Sequence, residues 1–452
     1  MTMVHRRALI AGLLFGAGLA LPCMAQEPAA AAEPAAPAEP EGLIPLTDYS
    51  GDFATRLRLT GDWGGSRSDI AQRGVMLDAD LTQVAQGVIA GGRRIDWDYH
   101  GSFDLALTLD LHRMKLLPGA LVRARAESRF GETVNDDAGN LLPVNTDGFF
   151  PLTESINESI VTITELNYVQ FLGPKVGLTI GKFQTLDGDP NEFASGRGRS
   201  QFMNFNFVAS GASALTIPYS TLGGGVIVMP TDRITITSLL VSTNDSSTTS
   251  GFEDLNDGLS WITEADFQYK LGDLPGGTNI GFVYAFSGDF NELGGKLQLG
   301  PDGLNLPTES ETWCAFVSTW QYLYLMEDAP AKVDVLNGRQ DLRGVGVFAR
   351  LGIADDDTNP VEWTLSAGIS AKGLIPAREN DTMGLAIAHT RFQDGGRLAS
   401  LLLESSSQIA ELYYNVAITP AMGLTFDVQW LDGVFTNVDE AWLIGTRLDM
   451  RF

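Results

Sequence analysis

The sequence has few residues that could form a covalent or metal-based framework. Its 452 residues include 2 cysteines and 4 histidines, and both His5 and Cys23 lie in an N-terminal segment with the pattern of a secretory signal. Cys314 is then a lone thiol, which excludes a scaffold held together by disulfide bonds. The other histidines do not have the spacing of a metal-binding motif; they are His100, His112 and His389.

Basic residues are also scarce. The chain has 30 lysines and arginines against 56 aspartates and glutamates, a formal net charge of −26. A nucleic-acid partner is therefore excluded, because phosphate contacts require clusters of lysine and arginine. The acidic composition remains compatible with bound divalent cations or with solubility alone.

Long apolar runs are absent after the first 25 residues. Residues 1–25 combine two arginines, the apolar stretch ALIAGLLFGAGLALP and small residues near their end, which predicts a cleaved signal peptide. Lipidation at Cys23 is the alternative, although the proline before it does not favour that processing. No later run reaches the roughly 18 residues of a helical membrane span. Residues 26–46 are rich in alanine, proline and glutamate, a composition that predicts a flexible spacer.

In place of long apolar runs, the chain has many segments in which apolar and polar residues alternate. In FDLALTLDL, which begins at Phe103, apolar side chains alternate with aspartate and threonine, and AELYYNVAIT and GLTFDVQWL follow the same pattern from Ala410 and Gly423. This is the period of a β-strand rather than of a helix. The segments run to about 10–13 residues, long enough to cross a bilayer when tilted. Tryptophan and tyrosine recur near their ends, as at a membrane interface.

These features predict an all-β fold, a transmembrane antiparallel β-barrel of about 16 strands over residues 47–452, with a short helix at about 66–73 before the first strand. The count treats 213–229, SALTIPYSTLGGGVIVM, as one glycine-bent strand, since two strands there would make the count odd. Barrels of about 16–18 strands enclose a water-filled lumen, so the pattern predicts a pore. Short periplasmic turns should alternate with longer extracellular loops at about 88–100, 131–157, 184–212, 242–260, 290–311, 354–360, 393–407 and 432–440.

The final segment, AWLIGTRLDMRF, has one apolar face and one face with Arg447, Asp449 and Arg451. We expect this strand to pair with the first one, since closure leaves no unpaired edge in lipid. A barrel of this kind is a multi-pass protein of the outer membrane of a Gram-negative bacterium. By resemblance to outer-membrane proteins generally, the terminal aromatic Phe452 is the feature that the barrel-insertion machinery recognises.

Three stretches resemble the carbohydrate-selective porin (OprB) family. The first is LTGDWGGSRSDIAQRGVMLDADLTQ from Leu59, and the second is GKFQTLDGDPNEFASGRGRSQFMNFNF from Gly181. The third extends from LRGVGVFARLGIADDDTNPVEWTLSAGISAKGLIPARENDTMGLAIA through IAELYYNVAITPAMGLTFDVQW, with a specific Gly-Leu-Ile-Pro-x-Arg-x-x-Asp-Thr-x-Gly-Leu core. Together they span most of 47–452 in the order of the family. The resemblance implies a 16-stranded outer-membrane porin that admits monosaccharides such as glucose and other small polar solutes by facilitated diffusion.

A sugar pore needs charged hydrogen-bonding groups and flat apolar faces in a narrow lumen, and no catalytic group or cofactor. The strand LVRARAESRF carries four charged residues on one face: Arg123, Arg125, Glu127 and Arg129. That face must be the lumen because charges facing lipid are costly. Each residue is a candidate solute contact, or else a wall residue paired with acids on neighbouring strands. The other inward candidates are Glu165, Lys182, Arg350, Glu411, Asp427 and Gln429.

The segment around 184–212 follows the fifth predicted strand, where general porins fold a long loop into the lumen. Its Arg197 and Arg199 are candidate solute-binding residues if the loop lies inside, whereas an external cap or a stretch packed on the wall is the alternative. Two oxygen-rich runs, DGDPNE at 187–192 and DDDTNP at 355–360, resemble calcium ligands in chemistry. Loosely bound calcium is therefore the one cofactor left open, although a polar turn is the simpler explanation of the second run.

Two other classes of function compete with a passive porin. A barrel enzyme such as a lipid hydrolase would need a serine–histidine pair on the wall, and neither His112 nor His389 has a convincing serine partner. An envelope anchor would need a binding module, which the short spacer lacks. Within the porin class, a general or ion-preferring channel without sugar selectivity is the alternative. The expected partners are small sugars and outer-membrane lipid, and the sequence leaves a homo-oligomer open.

Overall fold

The computed structural model describes residues 42–150, 160–295, 298–300, 303–326, 332–334, 339–393 and 403–452. Sixteen antiparallel strands form one closed barrel in which every strand pairs with its neighbours along the chain and the last pairs with the first. The strands are β1 (Val75–Gly92), β2 (Trp97–Asp110), β3 (Ala120–Gly131), β4 (Ile160–Gly173), β5 (Val176–Gln184), β6 (Ser220–Thr231), β7 (Ile234–Ser242), β8 (Leu259–Leu271), β9 (Leu274–Ser287), β10 (Thr312–Leu325), β11 (Gly344–Ala354), β12 (Val361–Lys372), β13 (Thr382–Phe392), β14 (Ser406–Thr419), β15 (Met422–Leu431) and β16 (Asp439–Arg451). The predicted fold class and the predicted number of strands are confirmed.

Alternation along each strand separates a lipid face from a lumen face. In β14, Leu412 is 53% exposed on the outer wall, whereas its neighbours Glu411 and Tyr413 are each 1% exposed inside. The same parity in β16 places Trp442 outside and Arg447 inside. Successive strand side chains point to opposite faces, so a two-residue pattern in sequence becomes an apolar outside and a polar inside. No helix in the described ranges is long and apolar enough to cross a membrane.

The first and last strands close the barrel along a continuous register. Pairs run from Asp80 with Arg451 to Gly92 with Asp439, with irregularities near the extracellular end of β1. Helix α1 (Ser66–Gln72) lies beside this seam and holds it through Arg67. The Arg67 guanidinium donates to the carbonyl oxygens of Leu77, at 2.6 Å, and Phe452, at 3.0 Å, so one side chain ties the first strand to the end of the last.

The N-terminal described segment enters the periplasmic mouth of the barrel. Leu43 and Ile44 pack on a cluster of buried lumen-wall residues, namely Leu121, Val169 and Ile227. The Leu43 N–H donates to Asp110 Oδ2 at 2.7 Å, and the Ile44 carbonyl oxygen accepts from Arg113 at 2.9 Å. The predicted spacer therefore ends earlier than residue 46, because these apolar side chains find a surface to pack on. The predicted signal peptide and the rest of the spacer lie outside the described residues.

Two loop boundaries differ from the sequence expectation. The loop expected at 88–100 shrinks to 93–96, because β2 already pairs with β1 from Trp97 and β1 continues along β16 as far as Gly92. The loop expected at 184–212 extends to 219: the Ile217 N–H donates to the Ser213 carbonyl at 2.9 Å, so 213–217 forms a helical turn rather than the start of a strand. The glycine-rich stretch is nevertheless one strand, β6, as the count required.

The remaining elements are short. They are α2 (Asn135–Ala138), α3 (Phe205–Val208), 3-10 turns at Trp63–Gly65, Leu186–Gly188, Gly196–Gly198 and Glu253–Asn256, and three hairpins that pair Phe290–Asn291 with Thr308–Glu309, Gln298–Gly300 with Gly303–Asn305 and Lys332–Asp334 with Arg339–Asp341. The last hairpin lies in the periplasmic connection that is unusually long for its side.

Candidate functional site

The loop of residues 185–219, here called the inner loop, folds into the barrel and fills much of its cross-section. Its aromatic residues Phe202 and Phe207 are 0% exposed. The Phe202 ring meets Tyr413 of β14 edge-on, with centroids 4.8 Å apart, and lies 5.6 Å from the ring of Phe348 on β11. A polar loop could remain in solvent, but these side chains remove apolar surface from water only by packing on the wall.

Charged residues hold the inner loop on the β2–β3 side of the barrel. Arg199 donates two hydrogen bonds to Asp104 on β2, at 2.6 and 2.9 Å, and a further one to Asp147. Arg197 bonds Asp104 at 3.1 Å and also reaches Glu127 on β3. We call this cluster the charged latch; its members are Asp104, Glu127, Arg129, Asp147, Arg197 and Arg199. Such groups tolerate burial because each charge has a hydrogen-bonded counter-charge.

The opposite side of the inner loop is held through its backbone. Glu411 on β14 accepts from the N–H groups of Met203, at 2.5 Å, and Asn204, at 3.0 Å. The Asn204 side chain donates to Gln429 on β15 at 3.1 Å. Arg447 on β16 donates to the carbonyl oxygens of two further inner-loop residues, at 2.6 and 2.8 Å. These contacts satisfy backbone groups that would otherwise be buried without partners.

A third attachment lies on β11. The Arg350 side chain is 2% exposed and donates to Asp189, to the carbonyl oxygen of Ala194 and, at 2.7 Å, to that of Phe207. One guanidinium therefore joins the beginning and the end of the inner loop. Its five donors in a fixed planar fork suit it to several acceptors at once.

The connection between β3 and β4 also turns inward. The Thr146 N–H donates to the Met203 carbonyl oxygen at 2.9 Å, and Asp147 accepts from Arg199 and from Ser102. Burial on its own would raise the pKa of Asp147, but the guanidinium groups of Arg199 and Arg129 outweigh it and bring the pKa to about 2. Asp147 is therefore a permanent anion in the latch, and the two loops form one inward assembly. The end of this connection, 151–159, is not described.

Residues of β3, β4, β5, β7, β8 and β10 border two adjoining cavities next to the inner loop. The periplasmic cavity has an empty volume of about 760 Å³, part of it open solvent, and is lined by Arg123, Arg125, Glu165, Asn167, Thr179, Phe183, Gln184, Thr185, Asp187, Gly188, Ile217, Thr237, Leu239, Ile262 and Glu264. The extracellular cavity has an empty volume of about 500 Å³ and is lined in part by Phe150, Phe205, Phe316 and Tyr219.

The periplasmic cavity carries charges of both signs beside an apolar wall. Arg125 lies 3.5 Å from Glu165 and 3.1 Å from Asp187. Burial opposes ionisation of Asp187, but Arg125 and Arg197 dominate and lower its pKa. Phe183 contributes a flat apolar face to the same cavity. The cavity can therefore offer both donors and acceptors to a polar solute, together with a surface for a sugar ring.

A family model described as "Carbohydrate-selective porin, OprB family" matches residues 94–452. The chain belongs to this family. It is 23% identical to Porin B of Pseudomonas aeruginosa over 439 residues, which cover 87% of this chain and 91% of that protein. The high-pH structure of Pseudomonas putida OprB has a TM-score of 0.74 at 21% identity, covering 89% of this chain and all of that one. The low-pH structure of the same protein has a TM-score of 0.52 at 16% identity, covering 88% and 99%. These structures share the fold of the chain.

Family and fold together make this OprB-family protein a carbohydrate porin of the Gram-negative outer membrane, a multi-pass channel rather than an enzyme. The barrel is wide enough for a lumen, and the inner loop is the structure that narrows it. The structure places this loop inside the barrel and packed on its wall, with Arg197 and Arg199 buried in the charged latch.

The porin's predicted site residues fall into two groups. Arg123, Arg125 and Glu165 line the periplasmic cavity. The other inward candidates lie beneath the inner loop or belong to it, and they hydrogen-bond within that assembly; they are Glu127, Arg129, Arg197, Arg199, Arg350, Glu411, Asp427 and Gln429. Asp427, for example, accepts from Gln429 at 3.0 Å. Most of the predicted solute contacts thus position the loop.

Lys182 is a correction. Its neighbour Phe183 lines the periplasmic cavity, so Lys182 lies on the opposite, outer face of β5, in register with Leu166, which is 51% exposed. The Lys182 amine donates to the carbonyl oxygens of Ser246 and Thr249, both at 2.7 Å. The extracellular loop 243–258 therefore covers the ammonium group and takes the place of water. The prediction that the Lys182 charge faces the lumen is therefore wrong. The ammonium group can lie on the outer face because carbonyl oxygens of a loop distant in sequence accept its hydrogen bonds.

In the structure, acidic residues of the two oxygen-rich runs, DGDPNE and DDDTNP, bond to other groups of the protein. Asp187 and Asp189, from DGDPNE, are paired with Arg125 and Arg350 respectively. In DDDTNP, Asp355 Oδ1 accepts from the N–H groups of Asp357, at 3.0 Å, and Thr358, at 3.2 Å, which is the pattern of a polar turn. Whether either run binds calcium stays a prediction.

Sequence reasoning missed several residues of the site. Asp104 was recognised as inward by its alternation, but its role as the centre of the latch depends on arginines more than 90 residues away. Glu264 lines both cavities and also lies on an alternating strand, in SWITEADFQYK. The alternation that predicted an inward side chain for Arg125 predicts the same for Glu264. Asp147 lies in a loop, where alternation carries no signal.

Proposed function

We propose that this porin admits monosaccharides such as glucose, and other small polar solutes, by facilitated diffusion through the two cavities beside the inner loop. The observation that carries this proposal is the periplasmic cavity, where guanidinium and carboxylate groups lie beside an apolar wall formed in part by Phe183. Charge-assisted hydrogen bonds suit sugar hydroxyl groups. An aromatic face suits the apolar face of the ring.

The charge balance supports neutral solutes over ions. Arg123 and Arg125 lie in one cavity with three acidic residues, Glu165, Asp187 and Glu264, so charges of both signs are present in similar number, although the whole chain has a net charge of −26. Selectivity depends on the groups at the narrow part of the lumen rather than on total charge. We therefore expect weak ion selectivity. A general or ion-preferring porin without sugar selectivity remains the competing function within this family.

Planar-bilayer recordings with purified protein test the proposal. Channels should form in potassium chloride, and added glucose should reduce the current in a saturable manner. If no channel forms, the porin function itself is refuted. If channels form but glucose neither reduces the current nor crosses in a liposome-swelling assay, the sugar proposal fails and the general porin remains.

Arg125→Ala examines the cavity directly. This change removes the guanidinium that balances Glu165 and Asp187, so cation preference should rise and the half-blocking glucose concentration should increase at least about threefold. Arg94→Ala is the matched control, because Arg94 is an arginine on the extracellular surface whose side chain is 62% exposed. Equal behaviour of the two variants would place Arg125 outside the solute path.

A further inference from the structure

The two cavities adjoin at a narrow junction. Four residues line both of them: Thr185, Gly188, Ile217 and Glu264. A Cβ atom built on Gly188 would lie 3.2 Å from Oε1 of Glu264. The wall carboxylate of β8 therefore faces the inner-loop backbone across the junction with little space to spare. A solute that moves from one cavity to the other must pass Glu264.

The junction is rich in hydrogen-bond acceptors and poor in donors. Glu264 is 4% exposed, and no lysine or arginine nitrogen lies within 4 Å of its carboxylate in the ranges that the structure describes. The contact it does have is the Asn279 amide, whose Nδ2 is 3.4 Å from Oε2. Asn279 Oδ1 is itself buried without a donor. One weak hydrogen bond leaves most of the acceptor capacity of the carboxylate unused.

A third acceptor comes from the inner loop. Asp189 lines the extracellular cavity, and its side chain is 7% exposed. One of its oxygens accepts from Arg350, whereas Oδ1 is buried with no donor among the described residues. Of these three side chains, Glu264 lines both cavities, Asp189 lines the extracellular cavity, and Asn279 lines neither. The Oδ1 atoms of Asp189 and Asn279 are closed to solvent, so Glu264 is the acceptor that a passing solute meets. Glu264 has acceptor capacity left over beyond its one weak contact, and a donor that arrives with the solute can pair with it.

We propose that Glu264 forms an acceptor subsite at this junction, a specificity-determining site for the hydroxyl groups of a passing polyol. Hydroxyl groups donate hydrogen bonds to the Glu264 oxygens, whereas a solute of similar size without O–H groups leaves these oxygens unpaired. A site built to bind hydroxyl groups rejects analogues that lack them more strongly than an apolar pocket rejects an analogue of different size. The inference rests on the proposed function of solute permeation and adds the chemical basis of its selectivity.

The test compares current block by three solutes in planar bilayers: glucose, the acyclic polyol sorbitol, and triethylene glycol dimethyl ether, which is close to glucose in mass and has no O–H group. Glu264→Gln keeps the size of the side chain but replaces one oxygen of the carboxyl group with an amide nitrogen, which donates hydrogen bonds and does not accept them. It should raise the half-blocking concentration of both polyols at least about threefold and leave that of the ether unchanged, as expected for the loss of one net hydrogen bond of about 0.5–1.5 kcal/mol.

Two variants serve as controls. Gly188→Ala narrows the junction without changing its chemistry, so it should alter block by polyols and ether in the same direction. Asp449→Asn removes another buried lumen-wall carboxylate, on β16, that lines neither cavity. It should change none of the three half-blocking concentrations. Conductance in potassium chloride shows that each variant forms channels.

The outcomes separate the subsite from the sugar proposal. If sorbitol block depends on Glu264 but glucose has no effect on the wild type, the sugar proposal fails and the acceptor subsite stands. If polyol block is absent, or is equal in the wild type and Glu264→Gln, the subsite is refuted. If millimolar calcium chloride blocks the wild type but not Glu264→Gln while polyol block is unchanged, the junction binds cations, and the hydroxyl subsite is refuted as well.

Discussion

Substitution of Asp104 by asparagine tests how the inner loop is held inside the barrel. The Asp104 carboxylate is 4% exposed and meets three guanidinium groups: Arg199 at 2.6 and 2.9 Å, Arg197 at 3.1 Å and Arg129 at 3.4 Å. Asp104→Asn keeps the shape of the side chain but removes the carboxylate that these three buried cations share, so that three arginines are left with only Glu127, Asp147 and Asp187 as counter-charges. Removing one partner of a buried ion pair costs about 3–5 kcal/mol. Every 1.4 kcal/mol is a factor of about ten, so the undocked population of this side of the loop should rise about 100-fold or more.

Trypsin provides the assay, because the inner loop carries its own cleavage sites at Arg197 and Arg199. In the folded protein these side chains are only 7% and 10% exposed, and cleavage requires the segment to leave the wall. Cleavage of a transiently opened segment follows the open population when opening and closing are fast. Asp104→Asn should therefore be cut at these two arginines far faster than the wild type.

The rest of the barrel should stay intact in this experiment. Glu411 and Arg447 hold the other side of the inner loop and do not contact Asp104. Folding is checked by heat-modifiable mobility on gels, and Asp257→Asn, in an exposed extracellular turn, controls for the loss of an acid. Cleavage of Asp104→Asn at the wild-type rate, in a folded barrel, would refute the latch as the device that holds the loop.

Three further predictions follow from other contacts. Arg67→Ala should lower the free energy of unfolding by about 3 kcal/mol, measured as earlier loss of the folded gel band on heating, because it removes a buried cation from the seam. Phe202→Ala should cost about 3–5 kcal/mol by the same measurement and accelerate tryptic cleavage of the loop, since its ring is fully buried against Tyr413. Conductance should be steady from pH 8 to pH 4 and fluctuate below about pH 3. The pKa of Asp147 is about 2 in the folded protein against a usual 3.8. The ionised Asp147 therefore stabilises the docked loops fully above pH 3.8, and this stabilisation is lost as the pH falls towards 2. Steady current at pH 2 would contradict this last prediction, and unchanged melting or cleavage would contradict the first two.

Alternation was sufficient to predict which face of a strand lies inside. Arg125 and Glu411 were both placed on the lumen side from parity, and the structure shows both inside. The alternation of side chains did not predict that Lys182 is buried, because the loop that covers its outward-facing amine comes from elsewhere in the chain. It was also silent about Asp147, because a residue in an irregular loop has no period. Local pattern carries side-chain direction but not the identity of a distant partner.

The amino-acid sequence by itself determined that the chain is a closed barrel of lipid-facing and lumen-facing strands, because strand direction is a local property that repeats every two residues. It also determined the family, through motifs spread along residues 47–452. The tertiary structure alone decided which inward charges line an open cavity. Arg123 and Arg125 line an open cavity, whereas Glu127, two residues further along the same face, is 0% exposed beneath Arg197. The difference arises from where the inner loop docks, and that is set by ion pairs and ring contacts between residues far apart in the sequence.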